Sequence, residues 1–277
     1  MNIISYSLFE PKTQHSHRFW DANNGEENRY WFNIESLCII NKILYPDFTM
    51  RIYASENIKN NKSYPVLEKL QQEKDLQVYF SDEEYSNHEP ASWRIKPLWD
   101  SDVDHLLVRD LDSVPNIDEY KATRYFLDSD YTVSTIRSHE NHYQYPCRML
   151  IGLSSFKPKE IPEDILCSDF ESFRTKYTPD ENKWDNDQIT LIKAFTDTNA
   201  VFTMLNFLDF KINNQNNDPD FSCQSGSRKD MDTIELTDQQ KQLLCLIDEY
   251  KLSNWAGQPC DTRGLFTEKL KDIDRDT

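Results

Sequence analysis

The hydrophobic positions of this chain change period repeatedly along its first half. "NIISYSL", Asn2 to Leu8, is an apolar-rich run of strand length, and the polar, aromatic-dotted stretch from about Glu10 to Asn28 reads as a loop. In "RYWFNIESLCIINKILYP" the residues Ile34, Leu37, Cys38 and Leu44 recur at helical spacing, and Pro46 ends the helix. "FTMRIYA" (Phe48 to Ala54) then predicts a strand, "YPVLEKLQQEK" (Tyr64 to Lys74) a helix with Pro65 near its start, and "LQVYF" (Leu76 to Phe80) another strand. This β-α-β-α-β alternation predicts a parallel sheet with helices on its faces.

The alternation continues through a short helix around "ASWRIKPLWD", the strand "HLLVRD", a helix across "NIDEYKATRYFLDS" and the strand "YTVSTIR" (Tyr131 to Arg137). After Ser138 the rhythm loosens. "RMLIGLSSF" predicts a strand, "EDILCSDFESFRTK" one helix, "WDNDQITLIKAFTDT" an Asp/Asn-capped helix, and "AVFTMLNF" a late strand. Asn213 to Asp232 is polar and expected to be a loop. "TDQQKQLLCLIDEYKL" predicts a helix whose apolar side packs on the domain, and "KLKDIDRDT" is expected to be frayed and solvated. No internal repeat or interdomain linker is visible. Residues 1–277 are therefore expected to form one domain with two halves, about 1–112 and about 113–255, and a C-terminal tail over 256–277.

Composition narrows the function classes. With 38% hydrophobic and 13% aromatic residues among 277, a sizeable core is available. The formal net charge of -17, with no Lys/Arg cluster to break it, argues against nucleic acid or an anionic membrane surface as a partner. The cysteines (Cys38, Cys147, Cys167, Cys223, Cys245, Cys260) form no C-x-x-C pair, which points to a reducing compartment. No signal-peptide pattern and no long uncharged apolar stretch is seen, so a soluble, cytoplasmic chain without an integral membrane segment is expected. Only five glycines occur, and none can be placed in a G-x-G-x-x-G or P-loop. Rossmann dehydrogenases, P-loop NTPases and protein kinases are poor candidates for that reason.

The candidate chemistry centres on "HLLVRDLDSVP", where a buried strand ends in Asp110 and Asp112. Strand alternation would aim both carboxylates to one side and turn Leu111 into the core. In parallel sheets ligands sit beyond the carboxyl ends of the strands, which favours a site here. Two carboxylates suit Mg²⁺ or Mn²⁺, hard cations held by one or two carboxylates plus the phosphates of a substrate. The same stretch also approximates the strand and D-x-D of haloacid-dehalogenase-type phosphatases, whose first Asp is a nucleophile and second an acid/base. That motif belongs on the first strand of its domain. Here three β-α units precede it, and Arg109 stands where an apolar residue is preferred. An acidic surface turn with no chemistry is the third reading.

Several motifs in order bear on the choice. "NIISYSLF", "YWFNIESLCIINKILYPDFTMRIYAS", "SWRIKPLWDSDVDHLLVRDLDSVP", "STIRSHENH" and "WDNDQITL" follow the sequence of motifs in small D-x-D-containing GT-A-fold glycosyltransferases of bacterial and viral type, which the first 195 or so residues resemble. The carrying residues are Tyr45-Pro46, Trp93-Arg94 and Arg109-Asp110-Leu111-Asp112-Ser113. The resemblance implies a GT-A (Rossmann-like) α/β fold with a mixed, mostly parallel sheet flanked by helices. The first half would bind the nucleotide sugar and the second the acceptor.

It further implies transfer of a sugar from a nucleotide-diphosphate donor, a UDP- or GDP-sugar, to a hydroxyl of a glycan or other acceptor. Mn²⁺ or Mg²⁺ would be held by Asp110 and Asp112. Ser5, Ser7, Arg94, Lys96 and Arg109 would contact the donor or balance the site's charge; for Arg94 the alternative is a helix residue paired with Asp100 or Asp102. Asp187, then Asp185, would be the general base of an inverting enzyme, although an Asp at a helix start also serves as a cap. His139, with Arg137 and His142 beyond the same strand end, would orient donor or acceptor; Ser138 departs from the family's Arg-Asp-His. The family's glycine-rich turn is reduced here to Gly152, and the lack of a histidine after His142 removes a C-terminal His ligand. Trp20, Trp184 and Trp255 are candidate platforms for sugar rings. A non-catalytic nucleotide-sugar or carbohydrate-binding protein is the alternative from a different class.

Overall fold

The computed structural model describes residues 1–9, 29–73, 76–81, 89–137, 149–179, 186–196, 204–208, 224–226, 231–254, 258 and 260–275. Among them eight strands form one sheet: β1 (Asn2–Leu8), β2 (Phe48–Ser55), β3 (Leu76–Ser81), β4 (His105–Arg109), β5 (Val133–Arg137), β6 (Leu153–Phe156), β7 (Met204–Leu208) and β8 (Gln224–Gly226). Their order across the sheet is β3-β2-β1-β4-β6-β5-β7-β8. All neighbours are parallel except β6, which runs antiparallel to both β4 and β5. The expected mixed, mostly parallel α/β sheet is thus observed.

The period-2 pattern of β1 and β4 builds two cores, one on each face. Ile4, Tyr6, Leu8 and Leu107 join the cluster under helices α1 (Arg29–Leu44) and α2 (Tyr64–Gln72). Ile3, Leu106 and Val108 join the opposite cluster, with Trp93, Ile95 and Leu98 of a 3₁₀ helix at Glu89–Trp99. Helix α3 (Ile117–Leu127) is capped by the Asn116 side chain, which accepts from the Glu119 N–H.

Three segments differ from the sequence reading. The helix expected across "EDILCSDFESFRTK" is two helices, α4 (Glu163–Leu166) and α5 (Phe170–Tyr177). Cys167 between them takes a positive φ of 59°, and Asp169 caps the second helix by accepting from the Ser172 N–H at 2.8 Å. A capping carboxylate in mid-pattern outweighs helical periodicity. The polar stretch expected as a loop contains β8, which continues the sheet beyond β7.

The "frayed" C-terminus is helix α8 (Leu265–Arg275), docked on α1 and on α7 (Asp238–Glu249). Phe266 and Leu270 are buried at 1% and 0% exposure, contributing about 2 kcal/mol each. Ion pairs Lys42–Asp274 and Lys271–Glu35 border the contact. Two apolar residues four apart in a charged stretch were enough for a helix once a partner face existed. α7 itself begins with a reciprocal capping box between Thr237 and Gln240.

Candidate functional site

Strand order reverses between β1 and β4: the chain moves outward from β1 through β2 to β3, then crosses back to place β4 on the other side of β1. The carboxyl ends at such a reversal leave a crevice where α/β sheets bind ligands. Asp110 follows β4 at this point. The strand ends at Arg109, and the next residues form a turn in which the N–H and hydroxyl of Ser113 both donate to the Asp110 carbonyl, at 3.4 and 3.3 Å. Extended alternation therefore does not govern the orientation of Asp112, contrary to the expectation for the pair. Leu111 does turn into the core, at 1% exposure. The Asp110 side chain is 37% exposed, whereas Asp112 is buried.

Alternation does govern the residues before the turn. Leu106 and Val108 face the 3₁₀ helix, so Asp110 falls on that face as well and meets Arg94, whose Nη1 donates to its Oδ1. The Nη2 of the same guanidinium donates to Asp187 Oδ2 at 3.0 Å. Asp187 is delivered from the first turn of α6 (Asn186–Phe195), whose Thr190, Leu191 and Ala194 anchor it against the core. A buried arginine thus bridges the D-x-D turn to a second carboxylate 77 residues further along the chain.

Arg94 pairs with neither Asp100 nor Asp102. Asp100 is taken by Arg51 at 3.1 Å. Burial works against the Arg94 charge, but the carboxylates of Asp110 and Asp187 outweigh it and hold the guanidinium more firmly protonated than usual. Burial raises the pKa of Asp187; Arg94 and the Gln188 N–H offset this in part, and the Asp110 charge adds to the rise.

The remaining predicted contacts divide. Lys96 lies over the rings of Trp93 and Phe170, at 5.3 and 5.1 Å from their centroids. Ser7 is partly exposed near the carboxyl end of β1, but Ser5 is sealed at 0% exposure in mid-strand, opposite Val108. A donor cannot reach Ser5 without opening the sheet.

Arg109 is also directed away. As the residue between Val108 and Asp110 it points to the other face, where Nε donates to Glu119 at 2.8 Å, Nη1 to the Ser154 carbonyl at 2.9 Å and Nη2 to Thr123 at 3.0 Å. Its role is to fasten the end of β4 to α3 and β6, not to face a donor. A cavity with room for about one water lies behind the turn, bordered by Tyr6, Asn41, Tyr45, Arg109, Ser113 and Glu119. His139, His142, Asp185, Trp20, Trp184 and Trp255 lie outside the described residues.

Two supports of the turn escaped the sequence reading. Gly152, one step beyond the Arg109↔Leu153 pair, comes opposite Asp110. A Cβ there would lie 2.6 Å from the Asp110 carboxyl carbon, so only glycine lets the carboxylate pack on the backbone. A solitary glycine in the apolar run "MLIGLSSF" was the available signal. The second support is the Cys260 N–H, which donates to the Asp112 carbonyl at 2.7 Å. Asn33 of α1 holds that segment in turn: its Nδ2 donates to the Cys260 carbonyl at 3.2 Å, and its Oδ1 accepts from the N–H and hydroxyl of Thr262 at 3.1 and 3.0 Å. Nothing in local sequence links Asn33 to Asp112.

Two carboxylates on one turn, one of them open to solvent, are the hard oxygen donors that Mg²⁺ or Mn²⁺ takes, with water or phosphate completing the shell. Among the described residues no group of three or more His, Cys, Asp or Glu is placed to hold a metal ion.

No protein-family model and no curated protein matches the chain. Solved structures similar to it include S. aureus TarS 1–349, at 15% identity over 73% of this chain and 57% of that one, with a TM-score of 0.43. The chain spans little more than half of that polypeptide. The galactosyltransferase LgtC in complex with donor and acceptor sugar analogues is similar at 9% identity over 100% and 96% of the two chains, TM-score 0.46. The mannosyltransferase PcManGT from Pyrobaculum calidifontis, in complex with GDP-Man and Mn²⁺, is similar at 11% identity over 71% and 52%, TM-score 0.41.

Proposed function

We propose that the chain is a metal-dependent glycosyltransferase that moves a sugar from a nucleotide-diphosphate donor, a UDP- or GDP-sugar, to a hydroxyl of a glycan or other acceptor. The observation that supports this most is the position of the Asp110–Ser113 turn. It lies at the carboxyl end of β4, where strand order reverses, with the exposed Asp110 carboxylate packed against Gly152 and the Asp112 carbonyl held by the Cys260 N–H of the C-terminal segment. The phosphatase reading lacks this support, because the carboxylates follow the fourth strand in chain order, not the first.

Asp110 and Asp112 hold Mn²⁺ or Mg²⁺ in this reading, and the bound ion neutralises charge on the departing diphosphate. Arg94 and Gly152 fix where the Asp110 carboxylate points. Ser7, at the end of β1, is the described serine open to a donor. Asp187 accepts the acceptor's proton: burial raises its affinity for one, and a lone pair remains beside the bonds from Arg94 and Gln188. Asp185 and His139 stand as further candidates for the proton transfer and for orienting the sugar.

Thermal-shift screening against UDP, GDP, ADP and their sugars, with and without Mn²⁺, tests the reading, followed by a donor-hydrolysis assay on each hit. A Mn²⁺-dependent shift with slow release of nucleotide diphosphate is expected. A shift without hydrolysis favours a binding protein, and Mn²⁺-dependent cleavage of a generic phosphomonoester without any nucleotide requirement overturns the proposal.

A further inference from the structure

We infer that Arg94 is a built-in counter-cation that competes with the divalent metal for Asp110, so that metal entry requires the guanidinium to hand this carboxylate over. The inference rests on the metal site proposed above and deepens it. Three observations carry it. Arg94 is buried and contacts Asp110 through Oδ1, one of the two oxygens available to a metal ion. Its fork is split between two carboxylates instead of closing on one: Nη1 serves Asp110 and, at 3.4 Å, the Arg109 carbonyl, and Nη2 serves Asp187. Each carboxylate is therefore held by a single nitrogen, a weaker and more exchangeable contact than the two-pronged Arg–carboxylate pair. Third, Nε is buried with no hydrogen-bond partner, so the Arg94 side chain is not fully satisfied where it sits.

The arrangement gives the site two states in which the Arg94 guanidinium always has a carboxylate partner. With no metal ion, Arg94 offsets the repulsion between Asp110 and Asp187 across the gap that it fills. When a divalent cation takes Asp110, Arg94 keeps Asp187 as its partner, and the guanidinium is never left without a counter-charge. The buried arginine can thus release one carboxylate without the penalty of an unpaired buried charge. The Asp110 carboxylate also packs closely on the Gly152 backbone, where a Cβ would displace it.

Binding of Mn²⁺ alone, followed by the electron paramagnetic resonance signal of the free ion, tests this on the full chain. The proteins are wild type, Arg94→Gln, Arg94→Lys and, as a control, Lys96→Gln. Lys96 is two residues from Arg94 but lies over aromatic rings, so its loss alters the local field without freeing Asp110. Arg94→Gln is expected to bind Mn²⁺ about tenfold more tightly than wild type. Arg94→Lys keeps the charge but loses the fork and should fall between the two; it carries the test if the glutamine variant does not fold. Lys96→Gln should gain clearly less than Arg94→Gln, because only the field changes and Asp110 keeps its partner.

Equal affinities in all four proteins overturn the inference alone, as does a gain in Lys96→Gln as large as that in Arg94→Gln. Mn²⁺ binding in the Arg94 variants but not in wild type supports the counter-cation role while contradicting metal use by the native chain. No Mn²⁺ binding by any of the four overturns both the inference and the proposed metal site.

Discussion

Replacing Gly152 by alanine probes the site through backbone packing rather than charge. The added Cβ would lie 2.6 Å from the Asp110 carboxyl carbon and 3.1 Å from Oδ1, with Oδ2 nearer still. To make room the Asp110 carboxylate must swing away and give up the contact of its Oδ1 with Arg94. Overpacking of this kind costs about 1–3 kcal/mol. The φ of Gly152 is not in the positive range, so no backbone strain opposes an alanine there. Without the Asp110 contact, the same change should be neutral or stabilising by about 0.4–1 kcal/mol, through the unfolded chain.

Sign and context therefore separate the packing argument from general sensitivity of the segment. Urea denaturation of wild type, Gly152→Ala, Asp110→Ala and the double variant closes a double-mutant cycle. The expected result is a loss of about 1–3 kcal/mol for Gly152→Ala in the native background, and no loss or a small gain when Asp110 is already alanine. An equal cost in both backgrounds, or no cost in either, would refute the claim that Gly152 exists to seat the carboxylate.

Three further outcomes follow from other parts of the structure. Arg109→Met should cost about 3–5 kcal/mol in chemical denaturation, by leaving Glu119 charged and buried, and Arg109→Met with Glu119→Leu should recover much of that; if Arg109 faced a ligand instead, the single variant would be mild. Leu270→Ala should lower stability by about 2–5 kcal/mol, whereas a solvated tail would show no change. For Asp187, burial raises the folded pKa above the ordinary 3.8, so the folded state holds this proton more tightly than the unfolded chain. The stabilising contribution is complete below the ordinary value and is lost as pH rises through the raised one. Asparagine mimics the protonated form, so the stability of Asp187→Asn relative to wild type should rise as pH rises through and above the ordinary carboxylate value, and a difference that stays flat from acid to neutral pH would be inconsistent with the burial argument.

What could be read from sequence depended on range. β1 is Asn2–Leu8 as its apolar run suggested, and α1, α2 and α7 follow their periodicity because each pattern is local and each partner face is continuous. The candidate turn after β4 was visible for the same reason, a run of apolar residues interrupted by two acids. Its orientation was not, since the strand stops one residue before Asp110 and a turn replaces the pleat.

The supports of the turn were hidden because they come from distant parts of the chain. Asp187 reaches it only through Arg94, Gly152 only through an antiparallel register with β4, and Asn33 only through Cys260. Arg109 sits beside Asp110 in sequence, yet one step of alternation sends it to the opposite face, where Glu119 and Thr123 receive it. Helix α8 looked like a tail because charged residues dominate its composition. Only the surface of α1 and α7 gives Phe266 and Leu270 something to bury against.

The central claim is that the carboxylates after β4 hold a cation on which donor turnover depends. The measurement that tests it most directly is the release of nucleotide diphosphate from UDP- and GDP-sugars in the presence of Mn²⁺, by wild type and by Asp112→Asn, with a thermal melt to confirm that both are folded. Mn²⁺-dependent release by wild type, and none by a folded Asp112→Asn variant, is the predicted result. Undiminished release by that variant would contradict it.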